Sequence, residues 1–108
     1  MQRYGLIGRA LGHSFSEAYF TEKFHRDGLP DHRYSPFELA RIEEFPALLA
    51  SQPELRGLNV TIPYKQTIIP YLTALDPLAA AVGAVNTIDL LDGKRIGYNT
   101  DVFGFRSL

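Results

Sequence analysis

Short apolar runs closed by glycine or proline, alternating with stretches of helical spacing, constrain this chain most. Residues 4–8, 32–37 and 55–61 read as strands; the first ends at Gly8, the second carries Pro36 near its end, and Ile62-Pro63 stops the third. Between the first two, Ser14 or Ser16 can cap a helix whose apolar face is Phe15, Tyr19, Phe20 and Phe24, ended by Asp27-Gly28-Leu29-Pro30. Residues 38–51 again have helical periodicity through Leu39, Ile42, Phe45, Leu48 and Leu49, and Pro46 predicts an irregular start before the second half. Strands joined by helical crossovers pair in parallel and need cover on both faces.

The second half closes differently. Residues 64–75 read as helical with an interruption at Pro70, and Asp76-Pro77 opens a short helix that Gly83 ends. Residues 85–91, the turn Asp92-Gly93 and residues 95–98 form a hairpin signal, so that pair should be antiparallel. The expectation is one α/β domain over residues 1–108, a three-layer sandwich with a mixed, mostly parallel sheet and helices on both faces.

Composition removes several function classes. Lys+Arg 11 against Asp+Glu 12, scattered along the chain, gives no basic face for nucleic acid or membrane. Cysteine is absent, which excludes disulfides and thiolate chemistry. Met1-Gln2-Arg3-Tyr4-Gly5 is no signal peptide, and no run reaches the ~18 apolar residues of a membrane span, so a cytoplasmic protein is expected. His13, His25 and His32 lack metal-ligand spacing, so no metal is expected. His13 beside Ser14 is no hydrolase pair, because neighbours in a loop rarely face each other and a G-x-S-x-G turn is missing.

Polar residues gather where strands or glycine-rich loops end, the place where open α/β sheets form ligand crevices. These segments are Gly12 to Ser16, Asn59 to Lys65, Gly83 to Thr87 and Gly97 to Asp101. Their hydroxyls, amides, ammonium and carboxylate suit a polyhydroxylated, anionic small molecule. Alone, Ser14, Ser16 and Asp101 would be helix caps, Lys65 a surface lysine, and Asn59, Thr61 and Asn86 turn formers; Thr87 is read as a support for its loop.

In order and spacing, NVTIPYK at 59–65, GAVNTI at 83–88 and YNTDVFGF at 98–105, with the serine loop before them, resemble the shikimate dehydrogenase family over nearly the whole chain. The resemblance implies that Ser14 and Ser16 bind the substrate carboxylate, and that Asn59, Thr61, Asn86 and Asp101 hold ring hydroxyls or line the pocket. It implies a catalytic pair of Lys65 and Asp101. Lys65 would give a proton to the developing alkoxide when 3-dehydroshikimate is reduced by NADPH to shikimate in aromatic amino acid (chorismate) biosynthesis. Asp101, at an expected helix start that favours negative charge, would orient Lys65 or the reacting hydroxyl.

Glu17 follows Ser16 where the family often has proline, and Phe20 and Thr21 stand where a His-Asn pair is common. The glycines Gly5, Gly8 and Gly12 are spaced wrongly for G-x-G-x-x-G, so no cofactor-binding residue can be assigned. The helix begun after Asp101 has hardly run when the sequence stops. The expectation is therefore a substrate-binding domain separated from its NADP-binding Rossmann domain, inactive by itself, from a monomeric or homodimeric parent. From another class, the alternative is a free-standing module that binds shikimate-like acids without catalysis.

Overall fold

The computed structural model describes residues 2–9 and 32–100. The helix expected after Ser14 or Ser16, and the one expected after Asp101, lie outside them. Strands β1 (Gln2–Gly8), β2 (His32–Glu38), β3 (Leu55–Val60), β4 (Ala74–Leu75), β5 (Thr87–Leu91) and β6 (Lys94–Tyr98) form a 6-stranded sheet in the order β2-β1-β3-β5-β6-β4. The β1–β2, β1–β3 and β4–β6 pairs are parallel, while β3–β5 and β5–β6 are antiparallel. The sheet is mixed and mostly parallel, and the fold is α/β.

The β5–β6 hairpin turns at Asp92 and Gly93 with φ of 54° and 77°. Positive φ at both central residues matches the right-handed twist of the flanking strands, which is why Asp-Gly serves here.

Two short helices and one sheet face enclose the core. Helix α1 (Phe45–Ser51) has Pro46 in its first turn and follows a 3-10 turn at Ile42–Glu44, the irregular start that Pro46 predicts. Helix α2 (Pro77–Val82) is bounded as its sequence dictates: Asp76 accepts from the Leu78 N–H at 3.1 Å, and Gly83 closes it with φ 76°. Phe45 and Ala79 of these helices join Ile7, Leu58, Val60, Ile68, Val85 and Ile88 in one buried cluster. The buried side chains of both described helices thus serve one face of the sheet.

One expectation needs correcting. Residues 64–75 do not form an interrupted helix: turns run over 65–68, a 3-10 turn spans Ile69–Tyr71, and β4 follows. Pro70 can give no N–H to a helix and sits in the first turn of the 3-10 segment. Competing hydrogen bonds then extend the chain, because Thr73 N donates to Arg95 O and Asp76 N to Gly97 O, both at 2.8 Å. Apolar spacing here reflects anchoring of turns by buried Tyr64 and Ile68.

Candidate functional site

The sheet topology brings the candidate loops to one edge. Strand β5 runs antiparallel to β3, so its start lies beside the end of β3; β6 runs back and ends beside the start of β5. Segments 59–65, 84–87 and 98–100 therefore meet. Val60 N donates to Asn86 O (2.8 Å), Asn86 N to Tyr98 O (3.0 Å), and Val85 N to Lys65 O (2.7 Å). Thr61 N donates to Ile7 O at 3.0 Å, tying the end of β1 to the same edge.

Each polar candidate follows a buried apolar anchor. Leu58 precedes Asn59, Val60 precedes Thr61, Tyr64 precedes Lys65, and Val85 precedes Asn86; all these anchors are at most 3% exposed. Burial of the anchor fixes the backbone, and the next side chain must leave the core. That alternation explains why polar groups collect at a rim without being buried themselves: Asn59, Thr61, Lys65 and Asn86 are all half-buried.

The amides are held by named partners. Asn59 Oδ1 accepts from the Tyr34 hydroxyl at 3.0 Å, and Asn59 Nδ2 donates to Thr87 Oγ1 at 3.4 Å. Thr87 Oγ1 in turn donates to Asn86 Oδ1 at 3.0 Å, which also receives the Thr100 N–H at 2.9 Å and the Thr100 hydroxyl at 3.2 Å. Next to this network, buried Asn99 donates through Nδ2 to Ala84 O at 3.1 Å, closing the loop before β5. A cavity of about 430 Å³ runs along the sheet face opposite the core cluster, between Tyr4, Tyr34, Asn59, Thr87 and Tyr98. It includes Asn59 but not Thr61, Lys65 or Asn86, so the rim and the cavity are neighbours that share one amide.

Of the residues singled out in the sequence, Asn59, Thr61, Lys65 and Asn86 share this edge. Ser14, Ser16 and Asp101 lie outside the described residues. Sequence reasoning did not single out Tyr34, Asn99 or Thr100 for these contacts. Tyr34 carries no local signal, because its contact with Asn59 spans β1. Among the described residues, no group of His, Asp and Glu could hold a metal ion. No described helix is long and apolar enough to cross a membrane.

Comparison with known proteins follows the same residues. Residues 6–88 match the shikimate dehydrogenase substrate binding domain family. The chain belongs to this family. It is 42% identical over 105 residues to a shikimate dehydrogenase (NADP(+)) of Staphylococcus aureus (strain Newman), covering 95% of this chain and 38% of that protein. Among solved structures, shikimate dehydrogenase 1 of Peptoclostridium difficile superposes with a TM-score of 0.88 at 38% identity, over 99% of this chain and 40% of that one. Listeria monocytogenes shikimate 5-dehydrogenase, in complex with shikimate and NAD, gives a TM-score of 0.88 at 37% identity, over 99% of this chain and 37% of that one. The chain thus spans well under half the length of these shikimate dehydrogenases.

Proposed function

We propose that residues 1–108 are the substrate-binding domain of an NADP-dependent shikimate dehydrogenase, an oxidoreductase that interconverts 3-dehydroshikimate and shikimate. The carrying observation is that segments 59–65, 84–87 and 98–100, distant in sequence, are stitched by backbone hydrogen bonds into one polar rim. The family match and the relative named for NADP(+) supply the reaction class.

Among the described residues, the ends of β2 and β3 do not form a dinucleotide cradle. Such a site needs glycines that let backbone N–H groups approach a pyrophosphate after a parallel strand, whereas β3 runs into Thr61-Ile62-Pro63 and β2 into Leu39-Ala40. In this reading hydride transfer is assigned to a cofactor domain outside residues 1–108, and this chain supplies binding and the proton. The hydroxyls of Ser14 and Ser16 donate to the substrate carboxylate. Asn59, Thr61 and Asn86 hold the ring hydroxyls. When the carbonyl carbon gains a hydride, its oxygen becomes an alkoxide, and Lys65 Nζ gives it a proton; oxidation returns that proton to Lys65. Asp101 follows Thr100, whose N–H and hydroxyl are fixed on Asn86, and its carboxylate orients the ammonium or the reacting hydroxyl. A cytoplasmic location accords with this biosynthetic role.

Kinetics of the protein carrying its cofactor domain test the reading. Lys65→Ala should lower kcat by at least about 100-fold, the usual worth of a positioned general acid, with KM changed far less. Unchanged turnover would defeat the assignment. Residues 1–108 alone should oxidise no shikimate with NADP.

A further inference from the structure

The hydrogen bonds around Asn59 and Asn86 have a direction, and a single backbone group sets it. Thr100 N–H can only donate, so the Asn86 atom at 2.9 Å from it must be the carbonyl oxygen. That oxygen can only accept, so the Thr87 hydroxyl at 3.0 Å must spend its one proton there. Thr87 Oγ1 is then an acceptor toward Asn59, which must turn its NH2 to Thr87 (3.4 Å) and its carbonyl oxygen to the Tyr34 hydroxyl (3.0 Å). Tyr34 completes the chain as a donor and is only 5% exposed, so water does not readily substitute for it.

We infer that Tyr34 and Thr87 are positioning residues that hold Asn59 with its carbonyl oxygen spent inside the protein, as Thr100 does for Asn86. The carbonyl oxygens of Asn59 and Asn86 are then taken up inside the protein, and any contact these amides make with a ligand is through N–H. Given the substrate role proposed above, on which this inference rests, the groups they recognise must act as acceptors. An alcohol oxygen meets this demand and so does a ketone oxygen. Amides locked in this sense hold an oxidised and a reduced ring alike, whereas freely flipping amides would offer a carbonyl oxygen to a ketone half the time. Thr87→Val, which keeps the shape and removes the hydroxyl, takes away the acceptor that fixes the direction of Asn59, leaving only the Tyr34 hydroxyl, which can donate or accept, while Asn86 stays held by Thr100.

Calorimetric titration of shikimate against the protein tests this in a double-mutant cycle. Thr87→Val should weaken binding about tenfold, a factor equivalent to about 1.4 kcal/mol, and Thr87→Ser should restore it to within about threefold. Tyr34→Phe should weaken it by a smaller factor. In an Asn59→Ala background Thr87→Val should change affinity less than about twofold, because Thr87 acts through Asn59. An equal loss in both backgrounds, or a loss that serine does not rescue, would mean a merely structural threonine and overturn the relay. Amide NMR spectra of each variant verify that it is folded. Absence of shikimate binding by the unsubstituted protein would instead strike the functional reading itself, a result distinct from any pattern among the variants.

Discussion

Replacing Tyr64 by phenylalanine removes one oxygen and leaves the packing intact, which isolates a single bond. Tyr64 is 3% exposed, and its hydroxyl donates to the carbonyl of Leu39, itself 5% exposed. This bond ties the loop that carries Lys65 to the end of β2, where Leu39 N also donates to Gly8 O at 2.8 Å. A typical hydrogen bond contributes about 0.5–1.5 kcal/mol, and stranding a buried acceptor raises the cost toward about 1–3 kcal/mol. The Arg9 guanidinium, 6.0 Å from the ring centroid, still meets an aromatic face in the variant, so that contact cancels. The expected loss is about 1–2 kcal/mol, and at roughly 4–8 °C per kcal/mol for a domain near this size the melting midpoint should fall by about 4–16 °C. Urea unfolding followed by circular dichroism measures it, with an unchanged m-value as the sign that only stability moved. A change under about 0.3 kcal/mol would refute the reasoning, since an acceptor stranded without water must cost more than that.

Packing and capping give two further tests by the same unfolding assay. A Cβ added at Gly97 would lie 2.7 Å from Leu72 Cδ1 and 2.9 Å from both Leu75 Cδ2 and Val85 Cγ2, so Gly97→Ala should cost about 1–3 kcal/mol; a neutral result would show that the β4–β6 corner is loosely packed. Asp76→Ala should cost about 1 kcal/mol by freeing the Leu78 N–H at the start of α2, and no loss would deny the cap its role.

Local chemistry was legible in the sequence and distant pairing was not. Asp92-Gly93 and Gly83 act through their own backbone and Asp76 through a side-chain bond two residues away, so the hairpin and the bounds of α2 could be read directly. Strand β4 could not. It has two residues and exists because Ala74 and Leu75 pair with Ile96 and Gly97, which no local period records. For the same reason apolar spacing over 64–75 imitated a helix. At the site, the residues Asn59, Thr61, Lys65 and Asn86 stood out by type and by resemblance. Their partners did not: Tyr34 reaches Asn59 across an intervening strand, and Thr100 meets Asn86 only after the hairpin has folded back. Residue identity at a rim is a property of the sequence, whereas the direction of a hydrogen-bond network belongs to the fold.

A crystal structure of the protein with shikimate bound would address the account at its centre. Lys65 Nζ and the Asp101 carboxylate should both lie within hydrogen-bond reach of the same ring hydroxyl, with Asn86 Nδ2 donating to the ligand beside them. Shikimate seated elsewhere, or Lys65 and Asp101 turned to opposite sides of the sheet edge, would contradict it.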